Sequence, residues 1–341
     1  MSNSENVRGK IMKHILTRRA ALSTLGSLGI GGLPGMSLAQ SGPGVATIVI
    51  GLAAGGATDM AARRLSEGMR GAYASSVLVD NRTGAGGRIA IQHVKAAAPN
   101  GATLLLTPAS MMTLYPHTYK DLGYDPVKDF VPVGMVSTSE VGFAIGPAVP
   151  ESVGSLNDYL AWIKSNPDSA TFGHGATGSG PHFLGELLGR LLGVKMVQTG
   201  FRGSQPAIVD LLGGHIPAVA APLGEFLPHM KTGKIRVLGV TGANRSRFLT
   251  NVPTFKELHI ALSEMTEWFG VFMPAGTPAQ AVQQASAAMK SAVANPELVK
   301  AYAMMGMEAG WSSPEGLSDR LKNDIKRWQA VAEKIGFTAQ S

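Results

Sequence analysis

The 341 residues contain no cysteine, and only 16% of them are charged. The first absence removes disulfide-stapled scaffolds, zinc ribbons, thiol redox enzymes and cysteine nucleophiles, and it makes a lipid anchor on cysteine chemically impossible. Common catalytic patterns are missing too. There is no Gly-x-Ser-x-Gly elbow, because Ser179 lies in Gly178-Ser179-Gly180 with the wrong glycine spacing. No lysine follows a glycine-rich run at P-loop distance, and the eight histidines include no His-x-x-x-His pair. Gly173-His174-Gly175-Ala176-Thr177-Gly178 matches the dinucleotide fingerprint letter by letter. Its helix begins only after the motif, at Pro181, and the position about twenty residues on is Gln198 rather than an acid. The chain is therefore expected to use no metal and no cofactor.

What is present is a large apolar fraction, 45%, with 43 glycines and 20 prolines that follow no collagen-like period. The length suits two domains. The net charge of +7 would point to nucleic acid or an anionic surface, but it is unevenly spread. Arg8, Lys10, Lys13, Arg18 and Arg19 face the single acid Glu5, and an uncharged run from Ala20 to Ala39 follows. This reads as a cleavable export signal over 1–39, of the twin-arginine or the general secretory kind. An uncleaved anchor is the competing reading; five glycines and Pro34 make the run a poor spanning helix. Beyond residue 39 remain 25 basic and 22 acidic residues, about +3, so nucleic acid is not an expected partner.

From Val45 onward short apolar runs alternate with helical patterns, the signature of an α/β protein. Strands are expected at 47–50, 76–79 and 103–107, and helices at 58–72 and 89–98, the first with Met60, Leu65, Met69 and Ala72 on one face. Around 125–146 the pattern turns extended, which marks a crossing into a second domain with a βα series of its own. There Ser155-Leu156-Asn157-Asp158 has capping-box spacing, and a helix is read near 225–232. After an extended return at 266–273, helices at 278–294, with Thr277 as N-cap, and at 314–335 are expected to pack on the first sheet. The expected division is 42–140 with 266–341 against 141–265, joined by two hinge connections, with the ligand in the cleft between.

One device recurs: a strand, a loop of Gly and hydroxyl residues, and a helix N-terminus. It appears at Ala53-Ala54-Gly55-Gly56-Ala57-Thr58-Asp59, at Gly175-Ala176-Thr177-Gly178-Ser179-Gly180-Pro181 and at Arg202-Gly203-Ser204-Gln205-Pro206. Unpaired N–H groups and the helix dipole favour an anion, so a carboxylate can be held without lysine. Asp59 reads either as a cap of its helix or as a ligand acceptor, and Arg202 borders the third loop as a possible anion clamp. The competing chemistry is a secreted hydrolase using Ser179 with His174 or His182.

These residues, in this order, resemble the substrate-binding proteins of tripartite tricarboxylate transporters, the Bug-type extracytoplasmic receptors. The resemblance spans the chain after the export signal. It is carried by Ala54–Asp59, Asn81-Arg82-Thr83-Gly84-Ala85-Gly86-Gly87, Pro99-Asn100-Gly101, Gly178–His182, Phe201–Ala207, Val252-Pro253-Thr254-Phe255 and Pro274-Ala275-Gly276-Thr277-Pro278. It implies a periplasmic-binding-protein-like fold, two α/β domains closing on a small organic acid by hinge motion, with no catalysis. The output it implies is delivery to membrane transporter subunits, with a sensor protein as the other possible recipient, and a monomeric receptor. The implied ligand contacts are Ala53, Ala54, Gly55, Gly56, Ala57, Thr58, Asp59, Ser110, Thr177, Gly178, Ser179, Arg202, Gly203 and Ser204. Three departures stand out: Gly51-Leu52 in place of Pro-Phe, Arg202 where lysine is common, and 215–222 without the family's usual acids. The last weakens the expectation of an amine-bearing ligand.

Overall fold

The computed structural model describes residues 42–260 and 265–335. The export segment read over 1–39 and the stretch 336–341 lie outside the described residues. The chain runs through β1 (Val45–Ile50), α1 (Ala57–Met69), β2 (Ser76–Asn81), α2 (Arg88–Lys95) and β3 (Thr103–Pro108). Two short helices, α3 (Ala109–Thr113) and α4 (Tyr115–Thr118), lead to β4 (Phe130–Ser139). Next come β5 (Val141–Ile145), α5 (Leu156–Ser165), β6 (Thr171–His174), α6 (Gly180–Leu191), β7 (Val197–Gly200), α7 (Ser204–Leu212), β8 (Ala218–Pro222), α8 (Leu227–Met230) and β9 (Arg236–Val240). The chain closes with β10 (Glu267–Pro274), α9 (Ala279–Val293), α10 (Pro296–Met304), β11 (Met307–Ala309) and α11 (Pro314–Ile335).

Among the described residues the strands form two sheets, ordered β11-β4-β10-β3-β1-β2 and β7-β6-β8-β5-β9. In each, a central strand pairs in parallel on both sides: β1 with β2 and β3, β6 with β7 and β8. Each sheet then continues through an antiparallel strand delivered from the other half of the chain, β10 against β3 and β5 against β8. The chain passes between the sheets at Glu140 and again between Val240 and Glu267. In open α/β sheets the loops beyond the carboxyl ends of parallel strands are the ones left to hold a ligand.

Apolar spacing fixes which helix face is buried. In α1 the residues Ala61, Ala62, Leu65 and Met69 recur at helical intervals and pack with Val282 and Met289 of α9 on one face of the first sheet. Ile91 and Val94 of α2, Met111 of α3 and Leu317 and Leu321 of α11 cover the opposite face. The second sheet is covered by α5 and α6 on one side, with Tyr159, Ile163, Phe183 and Leu188, and by α7 on the other, with Ile208 and Leu211. Each fully buried Leu, Ile or Phe adds about 1.5–3 kcal/mol. Ser155 and Asp158 form the expected capping box at the start of α5, the hydroxyl accepting from Asp158 N and the carboxylate from Ser155 N.

Four local expectations are corrected. α1 ends at Met69, so Ala72 lies in the following turn and is exposed, and Met60 is only half-buried. Thr277 does not cap α9: its hydroxyl donates to Pro274 O, and the helix starts after Pro278. The helix read near 225–232 is a single turn at Leu223–Glu225 followed by the short α8. α11 does not serve the first sheet alone, because Trp328 and Ala332 enter the core of the second.

Candidate functional site

Loops from both sheets meet around one cavity. The first sheet contributes Leu52, Ala53 and the opening turn of α1, then Pro108 and Ser110 beyond β3. The second contributes Ala176 and Ser179 before α6, Gly203, Ser204 and Gln205 at α7, and Pro222 and Glu225 beyond β8. Three helices of nine or more residues, α1, α6 and α7, thus open at the same cavity. Their first N–H groups lack intrahelical acceptors and carry the positive end of the dipole. Gly203 has φ +114°, a region that L side chains avoid, and a Cβ there would lie 3.2 Å from the Cβ of Ala53. The loops of the two sheets touch at this point.

Two carboxyl groups also line the cavity, and neither was singled out as a site residue from the sequence. Glu225 is 8% exposed; its Oε1 accepts from Ala57 N at 2.9 Å, across the two sheets, and its Oε2 from Gln205 Nε2 at 3.1 Å. Glu267 is 6% exposed and its Oε2 accepts from Ser110 N at 3.2 Å. Burial pushes both carboxyls up to about 7; the donors from Ala57 and Gln205 work against this at Glu225, those from Ser110 at Glu267. The negative field of Asp324 adds to the rise at Glu267. One signal for Glu267 was in the sequence, since it is the acid that opens a strand buried at every position. Glu225 had no such mark, because it follows β8 within an ordinary-looking turn.

The residues expected from the sequence divide. Ala53, Gly56, Ala57, Thr58, Ser110, Ser179, Gly203 and Ser204 line the cavity. Ala54, Gly55, Asp59, Thr177, Gly178 and Arg202 do not. Asp59 knits its own loop instead: Oδ2 accepts from Gly55 N at 3.0 Å and Arg63 Nε at 2.9 Å, and Oδ1 from Asn81 Nδ2 at 2.9 Å. Burial alone would raise this carboxyl, but the donors from Arg63, Gly55 and Asn81 outweigh it and hold Asp59 below the ordinary carboxylate range. Ala54 and Gly55 are exposed at the tip of that loop. Arg202 is exposed to solvent, so it clamps nothing inside.

Thr177 and Gly178 serve contact between the sheets. The Thr177 carbonyl accepts from Tyr119 Oη at 2.8 Å, and the Gly178 backbone lies against Tyr115 and Tyr119. Tyr119→Phe removes this bond and is expected to cost about 1 kcal/mol in thermal unfolding while leaving the secondary structure unchanged. A cost indistinguishable from zero would show that the bond does not hold the sheets together.

The hydrolase arrangement is not assembled. Ser179 Oγ donates to Ala176 O at 2.6 Å, so its proton is directed at backbone. His182 Nδ1 accepts from Gly178 N at 3.0 Å, and His174 Nε2 pairs with Gln198 Oε1 at 2.6 Å. Burial, with His182 beside it, pushes His174 down to about 3, so it stays neutral. Among the described residues no group of three His, Asp or Glu side chains is placed to hold a metal, and no lining residue is Lys, Arg or His. No helix among them is long and apolar enough to cross a membrane.

Residues 61–337 match the family described as tripartite tricarboxylate transporter family receptor. The chain is 30% identical to the UPF0065 protein of the gbd 5' region of Cupriavidus necator over 328 residues, covering 95% of this chain and 98% of that one. Among solved structures, the periplasmic binding protein BugD superposes with a TM-score of 0.81 at 29% identity, over 87% of this chain and 99% of the other. An R. palustris protein solved with adipate gives a TM-score of 0.81 at 28% identity, over 86% and 98%. With the α/β architecture, the paired sheets and the loop-lined cavity in place, the chain belongs to the receptors of the tripartite tricarboxylate transporter family.

Proposed function

We propose that this protein is an exported, periplasmic receptor that binds a small organic acid in the cavity and hands it to a membrane transporter. The observation that carries the reading is the convergence of three helix N-termini, α1, α6 and α7, on one cavity without a basic side chain. Such a set holds a carboxylate through N–H donors and the hydroxyls of Thr58 and Ser204, with no covalent chemistry. The bodies built on the two sheets move about the connections at Glu140 and between β9 and β10, with α11 spanning both because its Trp328 and Ala332 sit in the second core, and the receptor acts as a monomer. The adipate held by the R. palustris relative makes that acid the first to try.

A thermal-shift titration with adipate and other short organic acids is expected to raise the melting temperature with ligand concentration. At a hundredfold excess over Kd the gain is about 2.7 kcal/mol. Gly203→Ala puts a strained residue and a methyl group where the two loops touch, and is expected to weaken binding about tenfold. A melting temperature indifferent to every organic acid in the panel would overturn the receptor reading.

A further inference from the structure

We infer that the cavity takes an acid whose far end is a cation: an ammonium-type group is received by Glu225 and Glu267, and a second carboxylate in that place is rejected. This rests on the receptor reading and narrows its ligand class.

The cavity wall is the reason. It carries two carboxyl groups and, among the described residues, no basic side chain. Both glutamates are more than nine-tenths buried, and they come from opposite sides: Glu225 from the turn after β8 of the second sheet, Glu267 from the first residue of β10 in the first. A ligand seated between the sheets meets them both. Buried carboxylates without a counter-charge are costly, and an ammonium group supplies the missing charge together with three donors. Acceptor capacity remains, since each oxygen of Glu225 takes one direct hydrogen bond and has room for a second.

The negative character extends beyond the wall. Asp324, which adds to the field at Glu267, is itself bonded by Trp268 Nε1 at 2.7 Å and paired with Arg320 and Arg327 on α11, so those cations are already committed. On the other side Arg63 is committed to Asp59.

The anionic end of the ligand is placed by elimination. Ala57 N–H at the start of α1 already donates to the Glu225 carboxyl, so the protein supplies its own anion there. Ser179 before α6 is likewise committed, since its hydroxyl and its N–H both donate to Ala176 O, which leaves the opening of α7, with Ser204 and Gln205, for the ligand carboxylate. Leu52, Met111 and Phe269 give an apolar wall suited to an aliphatic spacer between the two ends. The acids absent from 215–222 are thus replaced by acids elsewhere in the fold. The expectation of an amine-bearing ligand, weakened by the acids missing from 215–222, is restored by this reading.

The test is calorimetric titration of the purified protein at pH 8 with two matched series: adipate, 6-aminohexanoate and hexanoate; then succinate, 4-aminobutyrate and butanoate. In at least one series the amino acid is expected to bind at least about tenfold tighter than both the dicarboxylate and the monocarboxylate. E225Q and E267Q, which keep the side-chain shape, are expected to remove that preference and to improve dicarboxylate binding. Should either variant fail to fold, the wild-type ratios decide alone. A dicarboxylate or monocarboxylate that binds as tightly as its amino partner in both series, or a preference unchanged in folded E225Q and E267Q, would overturn the inference and leave the receptor reading intact. No binding by any of the six acids would overturn both.

Discussion

At pH 8, Glu225→Gln and Glu267→Gln are each expected to melt higher than the wild-type protein without ligand, and the advantage is expected to shrink steadily toward pH 5. The folded state holds both carboxyls near 7 against an ordinary 4.5. A carboxyl raised on folding contributes stability that is fully present below about 4.5 and is lost as pH rises through about 7. At 1.36 kcal/mol per unit the loss is on the order of 3 kcal/mol for each group, with opening of the cleft a route of relief for Glu225. The comparison has to be made against the variants, because His174 works in the opposite direction. Its pKa is pushed down to about 3, so the unfolded chain takes a proton first and stability is lost as pH falls below about 6.5. Asp59, held below the ordinary range, adds a further loss only under more acidic conditions. Subtracting the two melting curves cancels both contributions. A difference that is flat between pH 5 and 8, or one that grows toward acid, would show that these carboxyls are not buried uncompensated in solution.

Gly224→Ala is expected to cost about 3 kcal/mol and to weaken ligand binding more than tenfold. Gly224 lies in the turn after β8, where the second sheet's chain presses on the segment between α10 and β11. A Cβ there would lie 1.4 Å from the carbonyl oxygen of Met305 and 2.2 Å from its carbon. No side chain can swing aside, since the clash is with backbone. The opposing residue is Gly306 at φ +60°, whose own Cβ position is 2.7 Å from Gly224 Cα, so the contact is built from two glycines. Relief requires the turn to move, and Glu225 moves with it, away from Ala57. Gly154→Ala is the matched control: nothing lies within 4 Å of its Cβ position, and a change within about 0.5 kcal/mol is expected. Differential scanning calorimetry and a binding titration on both variants check this pair. Equal behaviour of the two would mean that the sheets do not meet at Gly224 in solution.

Both experiments turn on residues whose importance is not visible locally. Ala57 and Glu225 are 168 positions apart, and Ser110 and Glu267 are 157 apart. No periodicity or spacing links such pairs; they meet because β10 returns to the first sheet beside β3 and because the turn after β8 faces α1. The same long-range placement explains the residues that read as ligand contacts and are not. Asp59 has a helix-opening position in the sequence, but the side chains that surround it, Arg63 and Asn81, are supplied by one turn of helix and a neighbouring strand and satisfy it completely. Arg202 stands next to a cavity-lining glycine, yet its own direction is outward.

The sequence by itself determined the alternation of strands and helices, the cap at Ser155, the three loops that open at helix N-termini, and the family. These depend on short-range rules: side-chain period, glycine and proline at chain turns, hydroxyls at helix starts. Tertiary structure alone decided which of those loop residues face the cavity, that α11 serves both cores, and that two buried glutamates stand among the helix N-termini. The physical reason is that the charge character of a cavity is a sum over side chains brought from distant strands, and only the sheet registers fix which of them take part.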